Sequence, residues 1–271
     1  MMEEIRNQKQ VSAVRLYLHY VSVHVRSAMQ YKTSLVLMTI GQFLASFNVF
    51  VGITFLFQRF HEVAGFNYSE VLICYALVLM EYSIAEVVAR GFDAFGSMVR
   101  NAEFDRVLVR PRNEILQVLG SKFALSRLGR LFQAVVVLVY GLVTVKIAWN
   151  PLRVLTVFFM MVGGTAVFSG LFLLYAALCF FTMEGLEVMN ILTDGAREYG
   201  KYPVGIYGKR VLQFCTVIIP YALIQYYPLL YLLGKSGCIW YIVCPLAAVL
   251  FLVPCWIVWR VGVRHYQSSG S

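Results

Sequence analysis

Residues 33–58 read TSLVLMTIGQFLASFNVFVGITFLFQ, twenty-six positions between Lys32 and Arg59 without one charge. Inside hydrocarbon no water satisfies a backbone amide, so such a run must close its hydrogen bonds internally as a helix, and about 20 residues cross roughly 30 Å. Charge-free apolar runs recur at 154–183, 211–234 and 236–259. Apolar residues make up 60% of the chain and charged residues 14%, with mean hydropathy +0.71. A soluble domain of 271 residues with this balance would expose too much apolar surface. The chain is therefore expected to be an all-α integral membrane protein.

Six spans are predicted: 33–57, 69–90, 124–146, 154–181, one within 183–233, and 238–260. The second is apolar apart from Glu70, Glu81, Glu86 and Arg90, and the third reaches spanning length only if 124–130 joins the clean core 131–145. No cleavable signal peptide is expected, because the first thirty residues lack a continuous apolar core. Lys and Arg total 19 on one side of this frame against 4 on the other, or 15 against 8 if 183–201 is itself a short polar crossing. Either count puts both termini in the cytoplasm by the positive-inside rule. The net charge of +9 then reflects topology and anionic headgroups, with no reason to invoke nucleic acid.

Around the six-span unit 33–260 lie an amino-terminal segment, 1–32, and a cytoplasmic tail, 261–271. Val11, Val14, Leu18, Val21, Val25 and Ala28 repeat every three or four residues, which predicts an amphipathic helix lying along the membrane or under the bundle. The loop 91–123 carries Phe92, Phe95 and Met98 or Val99 as a short apolar stripe before a basic run from Arg106 through Arg110 to Arg112. Such a stripe suits docking into a partner's groove, and the alternative is an interfacial loop held by headgroups.

The stretch Phe104, Asp105, Leu108, Val109, Arg110, Pro111 resembles a pattern of the permease subunits of type-2 ATP-binding-cassette (ABC) exporters, in the bacterial branch that accompanies a daunorubicin-resistance-like ATPase. Tyr202-Pro203 matches in order, as do Ile219-Pro220-Tyr221, Tyr226-Tyr227-Pro228 to Leu233-Gly234, and the tail Arg264, Tyr266, Ser268, Gly270. The resemblance implies a bacterial cytoplasmic-membrane permease, homodimeric or paired with a second permease, moving a hydrophobic, amphipathic or cationic substrate outward. It implies that 91–112 includes the coupling helix and that ATP-Mg is bound by a separate dimer of cytosolic ATPases. It also places 183–210 as the fifth span plus the start of an external re-entrant region, after which Pro220 and Pro228 break 211–233 into short pieces.

The residues agree that energy comes from elsewhere, since Gly234-Lys235-Ser236 lacks the first glycine of a phosphate-binding loop, with Leu229 in its place. No catalytic, cofactor or metal motif appears; the six cysteines lack metal-ligand spacing and mostly sit in spans as small apolar residues. An ion-coupled secondary transporter or a membrane-embedded enzyme would need intramembrane acids, and only Glu81 and Glu86 are candidates. Both are assigned to a substrate path. Glu86 can pair with Arg90 along the helix, whereas Glu81 is left either to cationic cargo or to a buried pair with Arg127 or Arg130. Gly41, Ala45, Asn48 and Gly52 share one face of the first span and predict close helix packing, at a permease interface among other places. Ala166 and Gly170 make a second such site, and the neighbouring Gly163-Gly164 pair is a candidate bend.

Overall fold

A computed structural model describes residues 12–145, 147–182 and 187–267. Val11, Ser268 and Gly270, named above, lie outside them. The first helices are α1 (Ala13–Gln30) and α2 (Lys32–Arg59). A two-residue hairpin, β1 (Glu62–Val63) and β2 (Phe66–Asn67), follows, its turn taking positive φ at Ala64 and Gly65. Asn67 then starts α3 (Tyr68–Asp93) through a reciprocal capping box with Glu70. Past a kink at Ala89 come three short helices, α4 (Phe95–Arg100), α5 (Glu103–Leu108) and α6 (Glu114–Leu119).

The rest of the bundle is α7 (Leu128–Thr144), α8 (Pro151–Thr182), α9 (Glu187–Tyr199), α10 (Lys209–Val217), α11 (Tyr227–Leu232), α12 (Cys244–Ala248) and α13 (Leu252–His265). Five helical stretches are long and apolar enough to span a membrane, and a pair bent by 98°, 209–217 with 222–232, makes a sixth by composition. α3 is the central element, packed on α7 and α8 and closed from lipid over most of its length.

Contacts along α3 show how 187–235 is threaded. Asp194 accepts a 2.6 Å hydrogen bond from Tyr82, and Gly200 lies beside Cys74 and Val78, so α9 climbs along α3 toward the hairpin end. From Tyr207, beside Tyr199, the chain descends to Tyr221, which packs on Phe168 next to Tyr82. It rises again through Gln225 at Cys74 to Lys235, which binds Glu70 at 2.7 Å. The bent pair is therefore a hairpin entering and leaving at one end, with Pro220 beside its turn. The 13-residue polar α9 is not itself among the stretches long and apolar enough to span, so the sixth span by composition is this bent pair.

Gly163 and Gly164 do not bend α8, which runs unbroken for 32 residues. They admit neighbours instead, because a Cβ at Gly163 would strike the Pro245 backbone and one at Gly164 would strike the Glu81 carboxyl. Gly170 likewise seats Leu252, Phe251 and Cys255 of the last span.

Candidate functional site

The loop end of the bundle closes around an aromatic cluster. Phe95 packs its ring 5.1 Å from Phe104, 5.0 Å from Phe180 and 5.1 Å from Trp259, and Phe92 joins at 5.7 Å from Trp259. Phe95 is 0% exposed, Val99 is buried and Met98 is partly covered by the same core. The expected docking stripe of Phe92, Phe95, Met98 and Val99 is thus the inner face of the loop. The pattern identified the apolar side correctly, but periodicity does not say whether that side meets a partner or the chain's own bundle.

The outer face is a different set. Leu108 and Val109 are exposed, Val109 at 85%, with Arg106, Arg110 and Arg112 exposed around them. Ala102, at φ +53, turns the tight corner from α4 to α5 that presents this face. Gln117 donates to the Val107 and Arg112 carbonyls at 3.1 Å each, pinning the corner from beneath. Tyr266 donates to Asp105 at 2.9 Å, joining two segments 161 residues apart. Burial and that bond push the Tyr266 phenol up to about 12. α1 lies against this end, where Tyr17 donates to the Val88 carbonyl at 3.1 Å and His24 meets the Gly120 carbonyl at 3.0 Å. Val14 and Leu18 of its apolar stripe are left exposed, as suits an interfacial helix.

A polar cluster sits where the last third of α3 meets the start of α7. Glu86 receives Arg130 at 2.6 Å, Arg127 at 3.3 Å and Arg90 at 3.5 Å. Gln42 of α2 accepts from both Arg127 and Arg130 at 2.6 Å. The arginines expected as partners for Glu81 thus belong to Glu86. Glu81 itself is 0% exposed, and neither of its oxygens has a hydrogen-bond partner among the described residues. It presses on Gly164 and does not line the cavity beside Arg130. The carboxylate surface that cationic cargo would need at Glu81 is not present.

That cavity was not foreseen. It lies between α2, α3 and α9 with a volume of about 60 Å³, and its wall includes Ala45, Arg130, Arg197, Glu198 and Lys201. Its only advance signal was the charge density of 184–201 between apolar neighbours. The small-residue face of α2 runs past it. Gly41, Ala45, Asn48 and Gly52 are all exposed, and the space around Gly41 and Gly52 is open, so this face finds no packing partner within the described residues.

A family described as "ABC-2 family transporter protein" matches residues 43–270. Neither the curated proteins nor the solved structures contain a match to the chain. The chain belongs to the ABC-2 family of transporters and is a multi-pass membrane permease subunit of an ABC transporter, a transport component that works with a separate ABC ATPase rather than the ATPase itself.

Proposed function

We propose that this permease is an exporter subunit of a bacterial cytoplasmic membrane, with both termini and the 91–123 loop in the cytoplasm. The observation that carries the reading is the family match over 43–270 together with the corner at Ala102, which lifts Val109 and its arginines off the bundle end. An ATPase groove receives Leu108 and Val109 as apolar contacts, with Arg106 and Arg110 at the rim. ATP-Mg sits on that partner dimer. A second permease, identical or related, packs on the Gly41–Gly52 face of α2, so the cavity beside Ala45 borders the seam. The favoured cargo is hydrophobic or amphipathic; the cationic class loses its argument because Glu81 is closed off.

Isolation of the full chain from native membranes tests this directly. An ABC ATPase is expected to co-purify with wild-type protein and to be lost with Val109→Asp, which leaves the buried face untouched. Phe95→Asp, by contrast, is expected to abolish folded protein, since it places an unpaired charge in the aromatic cluster. Transport in vesicles that runs on an ion gradient without ATP would replace this reading with a secondary transporter.

A further inference from the structure

The cavity between α2, α3 and α9 carries more positive than negative charge at a depth where charge is costly. Three cations, Arg130, Arg197 and Lys201, face one carboxylate on its wall. That carboxylate, Glu198, is already shared by Arg197 at 2.9 Å and by Lys201. Arg130 is 4% exposed, and although its two terminal nitrogens hold Glu86 and Gln42, its Nε has no partner. Tyr75 and Leu79 also line the cavity, which places it about 10 to 16 Å along α3 from its first residue at 1.5 Å per residue, well inside the membrane. Cations held there face an interior or water-filled path and call for a counter-charge.

Glu198 and Lys201 also line an open groove of about 750 Å³, whose far wall is Tyr207. Tyr207 in turn borders a trough of about 510 Å³ between Leu56, Phe60, Val63 and Ile206. The small cationic chamber thus shares Glu198 and Lys201 with a mixed groove, which shares Tyr207 with a largely apolar trough that has Glu62 on its wall.

We propose that the chamber is the headgroup subsite for an anionic amphiphile: a phosphate- or carboxylate-type group received by Arg130, Arg197 and Lys201, with its apolar chain along the groove past Tyr207. The chamber is large enough for one charged group and too small for a whole molecule. Guanidinium forks suit oxyanions because two parallel N–H bonds match their geometry, while Lys201 at the rim supplies a point charge on entry. This inference rests on the permease reading and narrows its cargo class.

The test uses the full chain in phosphatidylcholine nanodiscs, titrated with dodecyl phosphate, dodecyltrimethylammonium and inorganic phosphate. Dodecyl phosphate is expected to bind at least about tenfold more tightly than either of the others, the scale of one charge-assisted hydrogen-bonded contact. Lys201→Gln is expected to weaken it about fivefold and Lys201→Glu about tenfold or more, both variants keeping wild-type helicity and elution. Because Lys201 sits at the rim, these variants serve even if Arg197→Gln fails to fold. Equal binding of the two amphiphiles, equal binding of inorganic phosphate, or indifference to Lys201→Glu would overturn the proposal. Repeating the titration in phosphatidylglycerol nanodiscs separates sources: loss of dodecyl phosphate affinity there marks a membrane lipid as the occupant, and retained affinity marks a distinct cargo. Binding needs no ATPase. Co-purified ATPase without dodecyl phosphate binding would therefore fault the subsite alone, and the converse would fault the permease reading alone.

Discussion

Glu81 and Glu86 stand five residues apart on α3, are nearly equally buried, and meet opposite surroundings. Around Glu86 the neighbouring segment brings Arg127 and Arg130, Arg90 adds a third guanidinium from α3 itself, and Gln42 accepts from Arg127 and Arg130, so charge and hydrogen-bonding capacity are both answered. Around Glu81 the adjoining helix brings a glycine and no hydrogen-bond partner. The difference arises from where each acid points. α7 presents its basic first turns to one flank of α3, and the Gly163-Gly164 pair of α8 allows the other flank to approach so closely that only a small space remains for a carboxyl. Burial alone therefore says little about an intramembrane acid; the neighbouring helix decides whether it is a structural ion or an isolated polar group.

The largest expected effect tests the Glu86 side. Glu86→Leu leaves Arg127 and Arg130 without their carboxylate in a buried layer, and breaking such a network from one side costs about 3–5 kcal/mol. Chemical unfolding in mild detergent reads this directly. Adding Arg130→Met to Glu86→Leu should recover part of the loss, because it removes the more deeply buried of the two orphaned cations. A loss below about 1 kcal/mol for Glu86→Leu would show that the network is solvated and that the contrast with Glu81 is false.

Next in size is the glycine that makes the Glu81 side possible. Gly164→Ala drives a methyl group into the Glu81 carboxyl and should cost about 1–3 kcal/mol as overpacking. The same substitution in a Glu81→Ala background should cost far less, and a double-mutant cycle isolates that coupling. Additive losses would mean that the close approach serves the backbone rather than the acid.

How much of this was legible in the sequence depended on whether a feature is local. Apolar runs fixed the crossing helices, since hydropathy over twenty residues reports solvent directly. The amphipathic face of Phe92, Phe95 and Val99 was also visible, but its partner was not. Trp259 and Phe180 reach it from the far ends of other helices, and no local pattern carries that information. The same holds for Arg130, whose choice of Glu86 over Glu81 follows from the register of α7 on α3. Hydropathy also could not divide 183–233 into its parts, because α9, which packs along α3, is polar and the bent pair that follows is apolar. The charges of α9 are tolerated because Tyr82, with Arg197 5.4 Å from its ring centroid and Asp194 as its hydrogen-bond acceptor, receives them inside the bundle.

The smallest expected effect is the sharpest for the comparison, because it is a near-absence of effect. Glu81→Gln keeps the shape of the side chain and removes no ion pair among the described residues. Stability should stay within about 1 kcal/mol of wild type, since neither state of the residue has a hydrogen bond to lose. Transport of cationic substrates by the assembled complex should also be unchanged, because the carboxyl presses on Gly164 rather than facing the Arg130 chamber. A loss of several kcal/mol would mean that Glu81 has a partner in the assembled transporter. A selective loss of cationic transport with normal stability would mean that α3 and α8 part during turnover and expose the acid to cargo. In either event Glu81 would join Glu86 as a working residue, and the glycine pair of α8 would be read as a hinge surface rather than a seat.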